Sequence, residues 1–275
     1  MTVSNTKTIV LITGANTGLG FEIAKALFAR PLAFHILIGC RGDLARADDA
    51  IARLKGFSPD STSTAEPLSI DITSDESIAL AFKQVEQRHG HVDVLVNNAG
   101  ADLTTLSQLS IREGWNQTYD VNVTGTQLFT SAFASLLLAS NASPPRLLFI
   151  TSGLASVGER AAGLSPKYMK APPHWPKPQT PWFSYLVSKT ALNMLATEWA
   201  RLLRADGVAV FNVSPGFLNT GLGNNRATGQ EVNKAAMGAL DPAIGANFCA
   251  DVIQGKRDMQ AWPTQTIRKD DIQPW

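Results

Sequence analysis

The sequence predicts an α/β protein built on a doubly wound parallel sheet, three layers deep, with helices on both faces. Three observations predict it. Six short apolar runs alternate with helical patterns, and that alternation implies a parallel sheet covered on both sides. The first run passes through a glycine-rich turn, Thr13-Gly14-Ala15-Asn16-Thr17-Gly18-Leu19-Gly20, directly into a helical pattern. The residues suited to chemistry, Gly14, Arg41, Asp71, Asn98, Ser152 and Pro215-Gly216, fall at the ends of the apolar runs. In such sheets those ends converge on one rim, where ligands bind.

Each element follows in order. Residues 8–12 form the first strand, and Phe21, Ile23, Ala24, Leu27 and Phe28 give the helical spacing after the turn. Residues 34–39 form the second strand; 43–55 are helical, with Leu44, Ala47, Ile51 and Leu54 on one face and Asp43 as the cap. A third strand at 67–70 ends at Asp71, and Thr73 or Ser74 caps a helix reaching about His89. Residues 92–96 form the fourth strand, closed by Asn97-Asn98-Ala99-Gly100. A long helical region is expected from about 115 to 138, a fifth strand at 146–150, an amphipathic helix at 183–204 and a sixth strand at 208–213. A short helix is expected near 231–239. Asp241-Pro242 signals a last helix to about 254, and the tail 262–275 has room for one more strand. Six prolines between 166 and 181 exclude a regular helix or a central strand there. No repeat and no linker divides the chain, so residues 1–275 read as one domain. It carries a proline-rich insert at about 157–181 and a substrate lid at about 217–239.

Composition narrows the class. A chain of 275 residues, 44% hydrophobic, can bury a large core, and a net charge of +1 gives no argument for nucleic acid or an anionic membrane. Two cysteines make neither a disulfide framework nor a metal cluster. No signal-peptide pattern is present, and no segment approaches the apolarity of a membrane span. A soluble cytoplasmic protein is expected, with no metal, no membrane and no nucleic-acid partner.

Several residues carry chemistry. Glycines in the turn let a phosphate approach the backbone at the positive end of the following helix, although a tight strand-to-helix connection also favours glycine. Tyr185 and Lys189, four apart on a helix, lie on one face. A nearby ammonium favours the phenolate and lowers the phenol pKa toward a useful acid or base. Ser152, at the end of the fifth strand, can hold a carbonyl oxygen or simply start a turn. Asn122 lies among β-branched neighbours in a helical run and holds a bend or a water.

TGANTGLG at 13–20, Asp71, NNAG at 97–100, Asn122, Ser152, Tyr185-x-x-x-Lys189 and Pro215-Gly216 with Thr220 occur in an order that resembles the short-chain dehydrogenase/reductase family, over about residues 7–255. The glycine spacing resembles its compact branch. The resemblance implies a single-domain Rossmann fold and a catalytic set of Asn122, Ser152, Tyr185 and Lys189. In it Tyr185 is the general acid or base, Lys189 lowers its pKa and binds the nicotinamide ribose, Ser152 positions the carbonyl and Asn122 holds a relay water. It also implies coenzyme contacts at Gly14, Thr17, Gly18, Leu19, Gly20, Arg41, Asp71, Ile72, Asn98, Gly100, Pro215, Gly216 and Thr220. Among these Asp71 binds adenine, Asn98 and Gly100 line the adenosine side, and Thr220 holds the carboxamide. A homodimer or homotetramer built on the long helices is implied too.

An acid about 20 positions past the turn would bind the ribose 2′-hydroxyl of NAD, whereas an arginine accommodates a 2′-phosphate. Cys40 and Arg41 stand there, so NADP(H) is the expected coenzyme. The expected reaction is hydride transfer between nicotinamide and a bulky, fairly apolar ketone or aldehyde, with the small-molecule carbonyl or alcohol as partner. The alternative is a non-catalytic NADP(H)-sensing regulator. Ser152 and Tyr185 are 33 residues apart, a longer gap than is usual in the compact branch. The intervening insert, with Tyr168, His174, Trp175 and Trp182, reads as a lid over the site or as a loop at an oligomer contact.

Overall fold

The computed structural model describes residues 7–104, 109–164, 173–177, 182–224 and 231–275. One eight-stranded sheet organises them, in the order β3-β2-β1-β4-β5-β6-β7-β8. Its strands are β1 (Thr8–Ile12), β2 (Phe34–Cys40), β3 (Thr64–Ser69), β4 (Val94–Asn97), β5 (Arg146–Ile150), β6 (Ala209–Val213), β7 (Thr266–Ile267) and β8 (Ile272–Gln273). All pair parallel except β8, which runs antiparallel to β7. The chain moves outward from β1 to β3, then returns to β4 on the other side of β1. That reversal opens a crevice above the β1–β4 pair.

Strand alternation divides the core into two halves. Val10, Ile12, Ile36, Ile38, Val96 and Val213 face α1 (Gly18–Phe28), α2 (Ala45–Phe57) and α8 (Pro242–Ile253). Ile9, Leu11, Leu37, Leu95, Phe149 and Val210 face α3 (Asp75–His89), α5 (Thr126–Leu138) and α7 (Phe183–Leu203). Phe129 and Phe133 are fully buried, with rings 4.6 Å apart. Truncating either to alanine would cost about 3–5 kcal/mol.

Helix ends follow their capping residues. Ser74 accepts the Ser77 N–H at the start of α3, which ends at Gly90 with φ 72. Asp43 Oδ1 accepts the Ala45 N–H ahead of α2, and Asp241 caps α8 by accepting from Ala243. The expected 115–138 helix starts earlier. Ser110 and Glu113 form a capping box that begins α4 (Ile111–Tyr119). A six-residue π-helical turn, Asp120–Gly125, then separates α4 from α5. Packing is close there, because a Cβ on Gly125 would sit 2.3 Å from the Ile72 carbonyl oxygen. The combined run Ile111–Leu138 is long and apolar enough to cross a membrane by length and composition, contrary to the expectation above; its apolar face packs in the core through Phe129, Phe133, Leu136 and Leu137. The insert begins with a short helix, α6 (Val157–Ala161), capped by Ser156, because the prolines start only at 166. The tail contributes two short strands where one was expected, and 231–239 holds only a 3-10 turn, Ala235–Met237.

Candidate active site

A cleft of about 1610 Å³ runs along the carboxyl ends of the strands. Of the residues selected from sequence, Gly14, Thr17, Gly18, Leu19, Arg41, Asp71, Ile72, Asn98, Gly100, Ser152, Tyr185, Lys189, Pro215, Gly216 and Thr220 line it. Gly20 and Asn122 stand behind the wall, and each shapes it from there.

On the β1 side the turn is bare backbone. Gly14 and Gly18 have φ of +64° and +59°, which a side chain rarely adopts. A Cβ on Gly20 would lie 2.6 Å from Asn98 Nδ2 and 2.6 Å from the Gly14 carbonyl oxygen. That nitrogen donates to the carbonyls of Thr13 (2.8 Å) and Gly14 (3.2 Å), so Asn98 pins the turn. Thr17 stands at the N-cap of α1 and makes no side-chain cap bond, which leaves the amides of the first turn to a ligand. A bare, positively polarised helix start with glycines around it fits a pyrophosphate.

Across the cleft, α7 and the loop after β5 bring together the groups expected to react. Tyr185 and Lys189 are both buried, and Lys189 Nζ lies 5.7 Å from the Tyr185 ring centre. The ammonium donates to the Ile150 carbonyl at 2.8 Å. Ser152 bonds to the Tyr185 phenol and also accepts the Leu154 N–H at 3.1 Å, so it serves the turn as well as the site. The expected lowering of the phenol pKa is reversed: burial pushes it up to about 12, against a smaller opposing effect of the Ser152 bond, and the Asp102 carboxylate adds to the rise. Burial also brings Lys189 down to about 8. Desolvation favours the neutral form of each.

Asn122 is fully buried in the π-helical turn. Its Oδ1 accepts the Ala101 N–H, and its Nδ2 donates to the Ala101 carbonyl and to Ser188 Oγ, each at 2.8 Å. The amide thereby ties the segment after β4 to α7. Gly100 passes so close that a Cβ there would be 3.3 Å from both Asn122 Oδ1 and Lys189 Nζ.

Arg41 leaves the end of β2 with its side chain 64% exposed, 3.9 Å from the Asp71 carboxylate. Asp71 is itself held by Thr73, whose N–H and Oγ1 both donate to Oδ1. Sequence reading missed Arg46, a second guanidinium on the same stretch of cleft wall; its position in the first turn of α2 was the available signal. It also missed Lys234, buried at 2% exposure, which donates to the Thr220 carbonyl and holds that loop down. A buried network under Ser152 was not foreseen either. Thr151 donates to Asn193, and Asn212 donates to both Asn193 and Thr266.

The insert contributes unequally. Trp182 has φ 65, lines the cleft and stands T-shaped to Tyr185 at 6.3 Å. Its ring covers Gly223, where a Cβ would meet it at 2.5 Å. Trp175 is 84% exposed, and neither it nor His174 lines the cleft. Tyr168 lies outside the described residues. From the other side the tail reaches in: Gln273 Nε2 donates to the Ser152 carbonyl, and Ser156 Oγ to that of Pro274.

Comparison with known proteins agrees with this geometry. Residues 8–164 match the family model described as short chain dehydrogenase. The chain is 59% identical to the short-chain dehydrogenase/reductase eupG of Phoma sp, covering all of both chains. It is 42% identical to the short-chain dehydrogenase/reductase tropE of Talaromyces stipitatus, over 99% of this chain and 100% of the relative. Among solved structures, a 3-oxoacyl-[acyl-carrier protein] reductase from Brucella melitensis in complex with NAD superimposes with a TM-score of 0.71 at 22% identity, covering 96% and 95% of the two chains. An NADPH-bound carbonyl reductase from chicken fatty liver gives 0.70 at 20% identity, over 98% and 100%. At these identities the two structures speak for the fold.

Proposed function

The chain belongs to the short-chain dehydrogenase/reductase family, and from that premise we propose that it is an NADP(H)-dependent carbonyl reductase whose proton donor is Tyr185. One observation carries the reading: Ser152, Tyr185 and Lys189 share a single cleft with the bare glycine turn and Arg41. Coenzyme bound there supplies a hydride. The chain's own groups manage the oxygen. Ser152 donates to the carbonyl as negative charge grows on it. Tyr185, whose pKa burial raises to about 12, is protonated at neutral pH and gives its proton to that oxygen. Lys189 places a positive charge beside the phenolate that forms. Asn122 acts by holding the Ala101 segment in place.

NADP(H) is proposed because Arg41 ends β2 where an acid would serve NAD, and Arg46 adds a second charge. A bulky, fairly apolar substrate is proposed from the wall beyond Tyr185, where Leu154, Trp182, Leu186, Phe217 and Met237 converge. We propose the whole chain as one domain, working in the cytoplasm as a homodimer or homotetramer. Exposed Leu128, Leu138, Met194 and Leu202 on α5 and α7 support the oligomer. The test is coenzyme consumption across ketones and aldehydes of graded size. The reading expects turnover that favours NADPH over NADH and rises with apolar bulk. Coenzyme binding with no oxidation by any carbonyl would support the regulator instead.

A further inference from the structure

Away from the cleft, the amino ends of β2 and β3 meet the last turn of α3. His35 pairs in register with Thr64 near the start of β3, Glu66 follows two residues later, and His89 ends α3. One ligand atom from each of His35, Glu66 and His89 lies within 4.8 Å of the others. We propose that these three side chains bind a divalent transition metal of zinc-like chemistry, with water in the fourth position.

The geometry fits such an ion. Zinc–nitrogen and zinc–oxygen bonds of about 2.0–2.2 Å place neighbouring ligands of a tetrahedron roughly 3.3 Å apart. His89 Nε2 is 2.9 Å from Glu66 Oε1, and His35 Nε2 is 3.7 Å from Glu66 Oε2. Each histidine nitrogen thus stands near that separation from a different oxygen of Glu66, and an ion would draw together ligand atoms that already lie within 4.8 Å of one another. The two imidazoles stand 5.1 Å apart, tilted by 46°, and converge on the carboxylate without stacking on each other.

His35 carries the most specific sign. Its Nδ1 bonds to Thr64 Oγ1 at 2.8 Å, while its buried Nε2 has no hydrogen-bond partner among the described residues. An Nδ1–H donated to Thr64 leaves the lone pair on Nε2, which is the tautomer that ligation requires. Glu66 supplies the negative charge. The three side chains retain 21%, 24% and 14% exposure, which leaves a path for the ion and its water.

Two cations oppose the site. Lys7 donates to Thr64 Oγ1 at 3.3 Å, and Arg88 Nη1 lies 3.8 Å from Glu66 Oε2. The Arg88 side chain is 58% exposed and can turn to solvent when a metal takes its place. His91 is engaged with the His89 carbonyl and Asp93, outside the ligand set. Sequence reading expected no metal, because the ligands come from three elements with no spacing signature.

Such an ion would staple β3, which among the described residues pairs only with β2, to α3. None of the three ligands lines the cleft. Along β2, His35 and Cys40 are separated by about 16 Å.

Zn²⁺ titration of the full chain by calorimetry, with thermal melts in Zn²⁺ and in EDTA, tests the proposal. The expected result is one equivalent bound per chain and a higher Tm in Zn²⁺. Affinity should fall at least tenfold in His35→Gln, Glu66→Gln and His89→Gln, and stay unchanged in His174→Gln. Co²⁺ in wild-type protein should give visible absorption typical of four-coordinate nitrogen and oxygen ligation, a readout that holds even if a variant does not fold. No Co²⁺ band and no Zn²⁺-dependent Tm shift in the wild type would overturn the proposal. Binding that persists undiminished in the ligand variants would overturn it as well.

Discussion

Tyr185 and Lys189 show how burial sets the chemistry of single residues. Sequence spacing places both on one face of a helix, and that is where they lie. Spacing carries no information on desolvation, and desolvation reverses the expected direction at Tyr185. The same effect makes Lys189 costly. Its folded pKa of about 8 lies below the unfolded 10.5, so the folded state bears a penalty on the order of 3 kcal/mol below pH 8. The penalty fades as pH rises from about 8 to 10.5, because the unfolded chain keeps its proton longer. Lys189→Met should therefore melt higher than wild type at pH 7 and lose that advantage by pH 10.5, while turnover is lost. A lower Tm at pH 7 would contradict this account of the buried ammonium. Arg41 makes a separate prediction. Charge-assisted bonds to a phosphate are worth about 1.5–3 kcal/mol, so Arg41→Asp should lower kcat/KM for NADPH by roughly 10- to 100-fold. NADH should be affected much less. Equal losses with the two coenzymes would remove Arg41 from phosphate recognition.

At the scale of elements, the loop after β5 matters most. It carries Ser152, and its structure depends on the far end of the chain. Gln273 bonds the Ser152 carbonyl, the Gly158 N–H donates to the Trp275 carbonyl, and Arg268 pairs with Glu159 at 2.8 Å. Removing residues 272–275 should release this loop and lower kcat by at least about tenfold, since small misplacements of reacting groups are expensive. NADPH affinity should change little, as coenzyme fluorescence titration would show, because the proposed coenzyme seat at the glycine turn lies elsewhere. A truncated protein with full kcat would show that Ser152 is positioned without the tail. The capping box at Ser110 and Glu113 is a helix start that the sequence itself carries. The π-helical turn was not readable, because no local pattern marks it, and its Gly125 packs against the Ile72 carbonyl, distant in sequence.

Over the whole molecule, the alternation of strands and helices was legible because each apolar run ends in a turn and is followed by a helix-period stretch. Strands β1 and β5 lie where the apolar runs placed them, and α7 and α8 keep their expected starts. The rim was legible for the same reason, since strand ends from residues 12 to 213 meet in one cleft. What sequence could not show is what reaches that cleft from elsewhere: Lys234 beneath Thr220, Trp182 over Gly223, and the tail behind Ser152. These are tertiary contacts between polar or aromatic residues, and no local pattern marks them.

The most direct test of the central claim compares wild type with Tyr185→Phe for NADPH binding and for reduction of one accepted ketone at saturating coenzyme. The phenyl ring keeps the packing and removes the proton. The account predicts unchanged NADPH affinity and a loss of kcat of about 10²- to 10⁴-fold, the range for a general acid. A Tyr185→Phe protein that reduces the ketone at the wild-type rate would contradict it.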